Sequence, residues 1–427
     1  MTSELLQQVR ILDPLTATDT IGDVLIVDNI IQDIAPHISN LPANTETLNC
    51  QGLIFGPGLT DLYSLGGEPG YEDRETLDSF LKSASAGGFT RVVMLPGTNP
   101  PIDNPGALSL LQSRAEMLES ATKLYFWGAL TTGIVGAQMT EFAELARSGI
   151  VGFADGVPVQ NLALIRRILE YVKPLQKSVA LWPCDRKLEG AGVMREGPDS
   201  IMFGLPGNPA ISETTALAAL LEVVATTGTP VHIMRVSTAR SVQLIKEAKN
   251  QGVPITASTT WQHLILDTKA IECYDPNLRL DPPLPTPQDR YILIEGIKQG
   301  IIDAIAVDHS PFSYEEKTVA FGEAPAGAIG LEIALPLLWQ NLVETGHLSA
   351  LELWRSLSVG GASCLNQKPA SIAMGQAAEF ILFNPQQTWK VEEKNLQSLS
   401  NNTYWLNKEI AGHVTKVWGM GTTNAHR

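Results

Sequence analysis

VHIMRVSTARSVQLIKEAKNQGVPITAS, residues 231–258, holds one full repeat of the chain's architecture. An apolar strand, VHIMRVST, gives way to a helix-period segment from Ala239 to Asn250, and a second strand follows in PITASTT. Short strands separated by helices of this length are the signature of βα units in a parallel sheet. The alternation continues on both sides. LIFGPGLTDLY, RVVMLPGT, LYFWGALT, GIVGFADG and SVALWPCD precede this repeat, DAIAVDHS follows it, and Glu213 to Thr227 reads as another of the helices. Eight units over about 270 residues fit a (β/α)8 TIM-type barrel, whose usual size is about 250 residues. A doubly wound open sheet is the alternative, but no GxGxxG follows a first strand.

Towards the ends the period changes from helical to two. Residues 23–27 (DVLIV) and 30–34 (IIQDI) alternate as short strands, and so do 379–385 (EFILFNP) and 413–418 (HVTKVW). Such segments, bounded by Gly, Pro and Asn, are antiparallel strands. The expected division is therefore a barrel over 56–364 and a small β-sandwich composed of 1–55 together with 365–427.

Catalytic groups of a barrel sit at the C-terminal ends of its strands. That rule places Tyr63 and Leu65, Asn99, Asp155, Trp182, Arg235, Trp261 to His263, and Asp308 with His309 around the mouth. His232 lies deeper on the strand of Arg235 and reads as a satisfied core histidine. His37, His347, His413 and His426 are scattered outside the mouth.

The chain has 427 residues, 30 Lys and Arg against 45 Asp and Glu, and a formal net charge of −15. Nucleic acids and anionic membranes require a basic footprint, so neither is an expected partner. The N-terminal MTSELLQQVRILDP shows no basic segment followed by an apolar run, and no apolar run approaches the ~20 residues of a membrane span. A cytoplasmic protein is expected. Cys50, Cys184, Cys273 and Cys364 form no CxxC pair and read as reduced core thiols.

The barrel segments carry a family resemblance. AGGFTRVVMLPGTNPPIDN (86–104), GFADGVPV (152–159), GAGVMREG (190–197), residues 235–258, IEGIKQGIIDAIAVDHSPFSYEEK (294–317) and APAGAIGLEIALPLL (324–338) resemble class I dihydroorotases of the amidohydrolase superfamily. The resemblance covers nearly the whole chain. It implies a ring-opening and ring-closing amidohydrolase that uses one or two Zn2+ ions. Their ligands would be a His-x-His on strand one, an Asp on strand four, a His on each of strands five and six, and an Asp on strand eight that also shuttles the proton.

Carried over position by position, the pattern breaks. The strand-one histidines fall on Tyr63 and Leu65, the strand-five histidine on Trp182, and the strand-six histidine on Arg235. Asp155 and Asp308 match the two aspartates. The arginine that would bind the substrate carboxylate falls on Gly67, while Asn99, Asn277 and His309 match substrate-contacting positions.

Catalytic zinc needs about three N, O or S donors. Tyr, Leu and Trp do not supply them, and Arg235 places a fixed positive charge where the metal would sit. The expectation is a site without zinc, filled by Tyr63, Leu65 and Trp182, with Asp155 and Asp308 close together and at least one of them paired to Arg235.

Three functional readings follow. The first is a catalytically inactive dihydroorotase-like protein of pyrimidine biosynthesis, a homo-oligomer assembled with aspartate carbamoyltransferase, as the resemblance implies for such chains. The second is an active dihydroorotase or other cyclic amidase with a rearranged metal site, in which His263 and His309 would join the two aspartates. The third is a binding module that holds a small anion at Arg235, with Asn99, Asn277 and His309 as further contacts.

Overall fold

A computed structural model describes residues 2–377 and 379–419, so His426 and the final stretch of the expected β-domain lie outside the described residues. Eight parallel strands form one sheet whose spatial order is their sequence order. They are Leu59–Ser64, Phe89–Met94, Lys123–Gly128, Gly152–Phe153, Ser178–Leu181, Val231–Ile233, Ile255–Thr260 and Ala304–Ala306. Two side chains and one backbone bond help to close the ring between the eighth strand and the first. Asp61 Oδ1 accepts from the Val307 amide (2.7 Å), Ser64 Oγ accepts from the His309 amide (2.9 Å), and the Leu65 amide donates to the His309 carbonyl (2.8 Å). The fold is the expected barrel and not an open sheet.

The barrel axis is filled unevenly. Trp127 lies there with Leu62, Tyr63, Val93 and Met234, and the small Ala154, Ala180, Ala304 and Ala306 leave room for the large rings. The Trp127 indole is satisfied by the Leu62 carbonyl at 2.8 Å, as a buried N–H must be. The helices between strands turn their apolar faces inward. The helix Ala239–Asn250 starts at Thr238, whose side chain accepts from the Ser241 amide, and it buries Val242, Ile245 and Ala248. The helix Ile211–Thr227 ends at Gly228, whose left-handed φ of 62° stops the helix without steric cost.

The two ends of the chain meet beside the barrel. Ile54–Pro57 pairs in parallel with Ser3–Asp13 and antiparallel with Phe380–Lys390, which pairs in turn with Glu409–Trp418. Together with Thr18–Val27, Ile30–Ala35 and Glu46–Asn49 they form one continuous seven-stranded sheet. Leu6, Val24, Ile26, Phe55, Phe380 and Trp418 from both ends of the chain pack in one apolar cluster. A buried ion pair ties this sheet to the barrel: Arg91, on the second barrel strand, meets Glu379 through Nε (2.5 Å) and Nη2 (2.6 Å). No helix among the described residues is long and apolar enough to cross a membrane. Three of the four thiols are buried as expected, but Cys273 is exposed on a short 3-10 turn, Thr268–Cys273, outside the core.

Candidate functional site

Just past the ends of the sixth and eighth barrel strands stand two residues with the same unusual backbone. Arg235 and Asp308 both have φ of 55°, a left-handed conformation that is uncommon for residues other than Gly. Each such residue costs on the order of 1–3 kcal/mol and persists only where its surroundings hold it. Here the two hold one another. Arg235 Nε donates to Asp308 Oδ2 at 2.7 Å and Nη2 donates to Asp308 Oδ1 at 2.6 Å, a bidentate fork. The third guanidinium nitrogen, Nη1, donates to the Gly156 carbonyl at 2.8 Å. Burial alone would lower the Arg235 pKa, but Asp308 outweighs it and raises the value above the ordinary arginine range.

Aromatic rings complete the plug. The Arg235 guanidinium carbon lies 4.4 Å from the Trp182 ring centroid and 5.6 Å from that of Tyr63. Arg186 also stacks on Trp182, at 4.7 Å, and is held by Glu189 (2.6 Å) and Asp281 (2.7 Å). Tyr63 is fully buried beneath. Its hydroxyl accepts from the Arg235 amide (3.1 Å) and is hydrogen-bonded to Ser258 Oγ (2.9 Å). Burial first, and then the charge of Asp308, raise the Tyr63 pKa far above the usual phenol value. Ser258 is hydrogen-bonded to His232 Nε2 (2.8 Å), and His232 Nδ1 to Thr256 Oγ1 (2.9 Å). A hydrogen-bonded chain therefore runs down the barrel axis from the mouth to its opposite end. His232 is neutral, its pKa lowered to about 3 by burial, in keeping with a satisfied core histidine.

Above the plug is a cavity of about 190 Å3, lined by Leu65, Trp182, Arg235, Gln262, His263 and Asp308 among others. Other residues expected at the mouth lie elsewhere. Asp155 is buried but faces the loop after the third strand. It accepts from the amides of Leu130 (2.7 Å) and Thr131 (3.0 Å) and from Thr131 Oγ1 (2.6 Å). Burial raises its pKa, so the expected pairing of two like charges with Asp308 is not what shifts it. His309 turns outward under the barrel wall, hydrogen-bonded to Glu75 Oε2 (3.2 Å) and edge-on to Phe80. It does not sit beside His263. His263 is fixed by the Pro282 carbonyl (3.1 Å) and by Thr260 (2.5 Å), with its pKa lowered to about 3 by burial. Asn99 is exposed on the loop after the second strand, and Trp261 packs on Trp405 at 5.0 Å. Asn277 lies on the turn Pro276–Leu278, its Oδ1 buried without a partner among the described residues.

This donor set does not fit zinc. Both oxygens of Asp308 and both of Asp155 are already engaged, and Leu65, Trp182 and Arg235 offer no lone pair. Among the described residues no group of three or more His, Cys, Asp or Glu converges so as to hold a metal ion. The Gly67 position is closed as well. Its φ is 70°, and a Cβ there would collide with the carbonyl oxygen of Glu75, so this backbone excludes an arginine. Arg235 spends three of its five N–H donors on Asp308 and Gly156, so Nη1 and Nη2 each keep one N–H beyond these bonds.

Arg186, Asp281 and Asp61 are site or closure residues that no spacing in the sequence singles out, whereas Gln262 falls within the span 261–263 expected at the mouth. Asp61 is fully buried, and its pKa is raised by burial to about 7.

Comparison with known proteins places this geometry in a family. The amidohydrolase family matches residues 48–421. The chain is 43% identical to a probable dihydroorotase-like protein of Synechocystis sp., over 95% of this chain and 97% of that one. It is 36% identical to a dihydroorotase of Geobacter metallireducens, over 96% of each chain. In fold it is similar to the L-hydantoinase of Arthrobacter aurescens, with a TM-score of 0.83 at 20% identity over 98% and 97% of the two chains. A barrel of this topology, flanked by a sheet from both chain ends and matched along nearly its full length, belongs to the amidohydrolase family, among its dihydroorotase-like members.

Proposed function

We propose that this chain is a non-catalytic dihydroorotase-like protein of pyrimidine biosynthesis, and that it serves as a structural partner of aspartate carbamoyltransferase. The observation that carries the reading is the Arg235–Asp308 fork. In an active relative the strand-eight aspartate must be available to a metal and to a proton in transit. Here both of its oxygens are held at 2.6 and 2.7 Å by a permanent cation on the strand that would supply a ligand. Without a Lewis acid or a metal-activated water, the ring carbonyl of a cyclic amide is left unpolarised and faces only unactivated water at neutral pH. A barrel that keeps its packing while its mouth is plugged fits a protein whose surface is what matters.

The similarity to proteins named dihydroorotase supports the competing reading, an active enzyme with a rearranged site. One experiment separates them. The purified protein and the aspartate carbamoyltransferase of the same organism are run alone and mixed by size exclusion with light scattering, and each fraction is assayed on dihydroorotate. A stable mixed complex, with no turnover by this chain alone, is expected. Turnover by this chain alone would overturn the non-catalytic reading, and separate elution would overturn the partnership.

A further inference from the structure

The barrel's other end carries a second, larger cavity of about 780 Å3, at the N-terminal ends of the fifth, sixth and seventh strands, where Ser178, Val231 and Ile255 begin. This is within the 300–1,000 Å3 range of small-molecule sites. Its charge runs against that of the whole chain. Three of its eighteen lining residues are lysines and none is Asp or Glu, in a protein with 45 acidic and 30 basic residues.

Lys249 is paired with Asp303 at 2.6 Å. Lys173 and Lys177 instead meet backbone carbonyls, those of Thr227 (2.7 Å) and Ile150 (2.8 Å). An ammonium has three N–H groups, so a single carbonyl partner leaves donors on each for a ligand. Between the lysines the wall is apolar, with Val179, Val231, Val253 and Pro254. His232 and Thr256 also line the cavity, and they are the lower end of the hydrogen-bonded chain that starts at Arg235.

We propose that this cavity is a binding site for a small organic phosphate. Lys173 and Lys177 take the anionic head, and the valine-lined wall takes an apolar body. The site is independent of the mouth and of whether the chain catalyses anything.

Phenyl phosphate is the probe, titrated against the full-length protein by calorimetry, with inorganic phosphate in a parallel arm. Ring signals of His232 in histidine-labelled protein are followed by NMR and assigned by their loss in His232→Gln. Saturable binding is expected, with movement of the His232 signals. Affinity should fall tenfold or more in the Lys173→Met/Lys177→Met double variant, whose exposed or half-buried changes should leave folding intact. Inorganic phosphate should bind at least tenfold more weakly than the ester. No saturable binding, an affinity the double variant does not change, or binding that leaves His232 unmoved would overturn the site. Equal affinity for inorganic phosphate would overturn the apolar-body assignment.

Discussion

Asp308 presents both carboxylate oxygens to the Nε and Nη2 edge of Arg235, at 2.7 and 2.6 Å, and both residues have a backbone φ of 55°. The pair is nearly buried, with side-chain exposures of 8% and 14%. Removing one partner of such a pair leaves an uncompensated charge and typically costs about 3–5 kcal/mol. Arg235→Met is therefore expected to lose stability in that range by urea unfolding. The double variant Arg235→Met/Asp308→Leu should recover most of the loss, since no stranded charge remains. An Arg235→Met protein as stable as the parent would contradict the role given to the pair.

Tyr63→Phe removes the hydroxyl that joins the Arg235 amide to Ser258. The ring still fills its space, but a buried amide loses its acceptor, and a cost of about 1–2 kcal/mol is expected. A denaturant midpoint unchanged within error would show that the axial chain is not continuous.

Gly67→Ala tests whether the lost arginine position is closed by backbone geometry. A left-handed non-Gly residue together with a collision against the Glu75 carbonyl should cost roughly 2–4 kcal/mol. If the alanine variant melts with the parent, the loop can rearrange, and an arginine could be restored there.

Glu332 gives a pH signature. It is buried, it accepts from the amides of Gln397 and Ser398, and burial followed by the nearby Glu75 charge raises its pKa from 4.5 to about 7. Between those values the folded protein holds a proton that the unfolded chain has released. The contribution to stability is full below about 4.5 and is lost as pH rises through about 7. Measured by urea unfolding from pH 5 to pH 8, the parent should lose roughly 1–3 kcal/mol relative to Glu332→Gln. Asp61 titrates in the same range but cancels in this comparison. Parallel stability curves would contradict the shifted carboxyl.

What the sequence made legible was what local pattern dictates. The repeat at 231–258 fixed strand, helix and strand, and from eight such units the barrel and the residues ending its strands follow. The meeting of Arg235 and Asp308 was legible too, because strand ends of a closed barrel converge. The orientation of individual side chains was not. Asp155 stands at the expected strand end, yet the unpaired amides of Leu130 and Thr131 and the Thr131 hydroxyl draw its carboxylate to the neighbouring loop. His309 follows Asp308 directly, and successive residues leaving a strand face opposite ways, so it points to Glu75 outside the barrel. Arg186 reaches Trp182 from a short helix, Arg186–Glu189, that follows the fifth strand, and loop placement leaves no periodic trace in sequence.

The most direct test of the central claim is metal content together with turnover on one preparation. The purified protein is incubated with excess zinc, freed of unbound metal and analysed for zinc while its hydrolysis of dihydroorotate is followed. The Arg235–Asp308 fork predicts substoichiometric zinc and no hydrolysis above the uncatalysed rate. One zinc or more per chain, with turnover that a chelator abolishes, would contradict it.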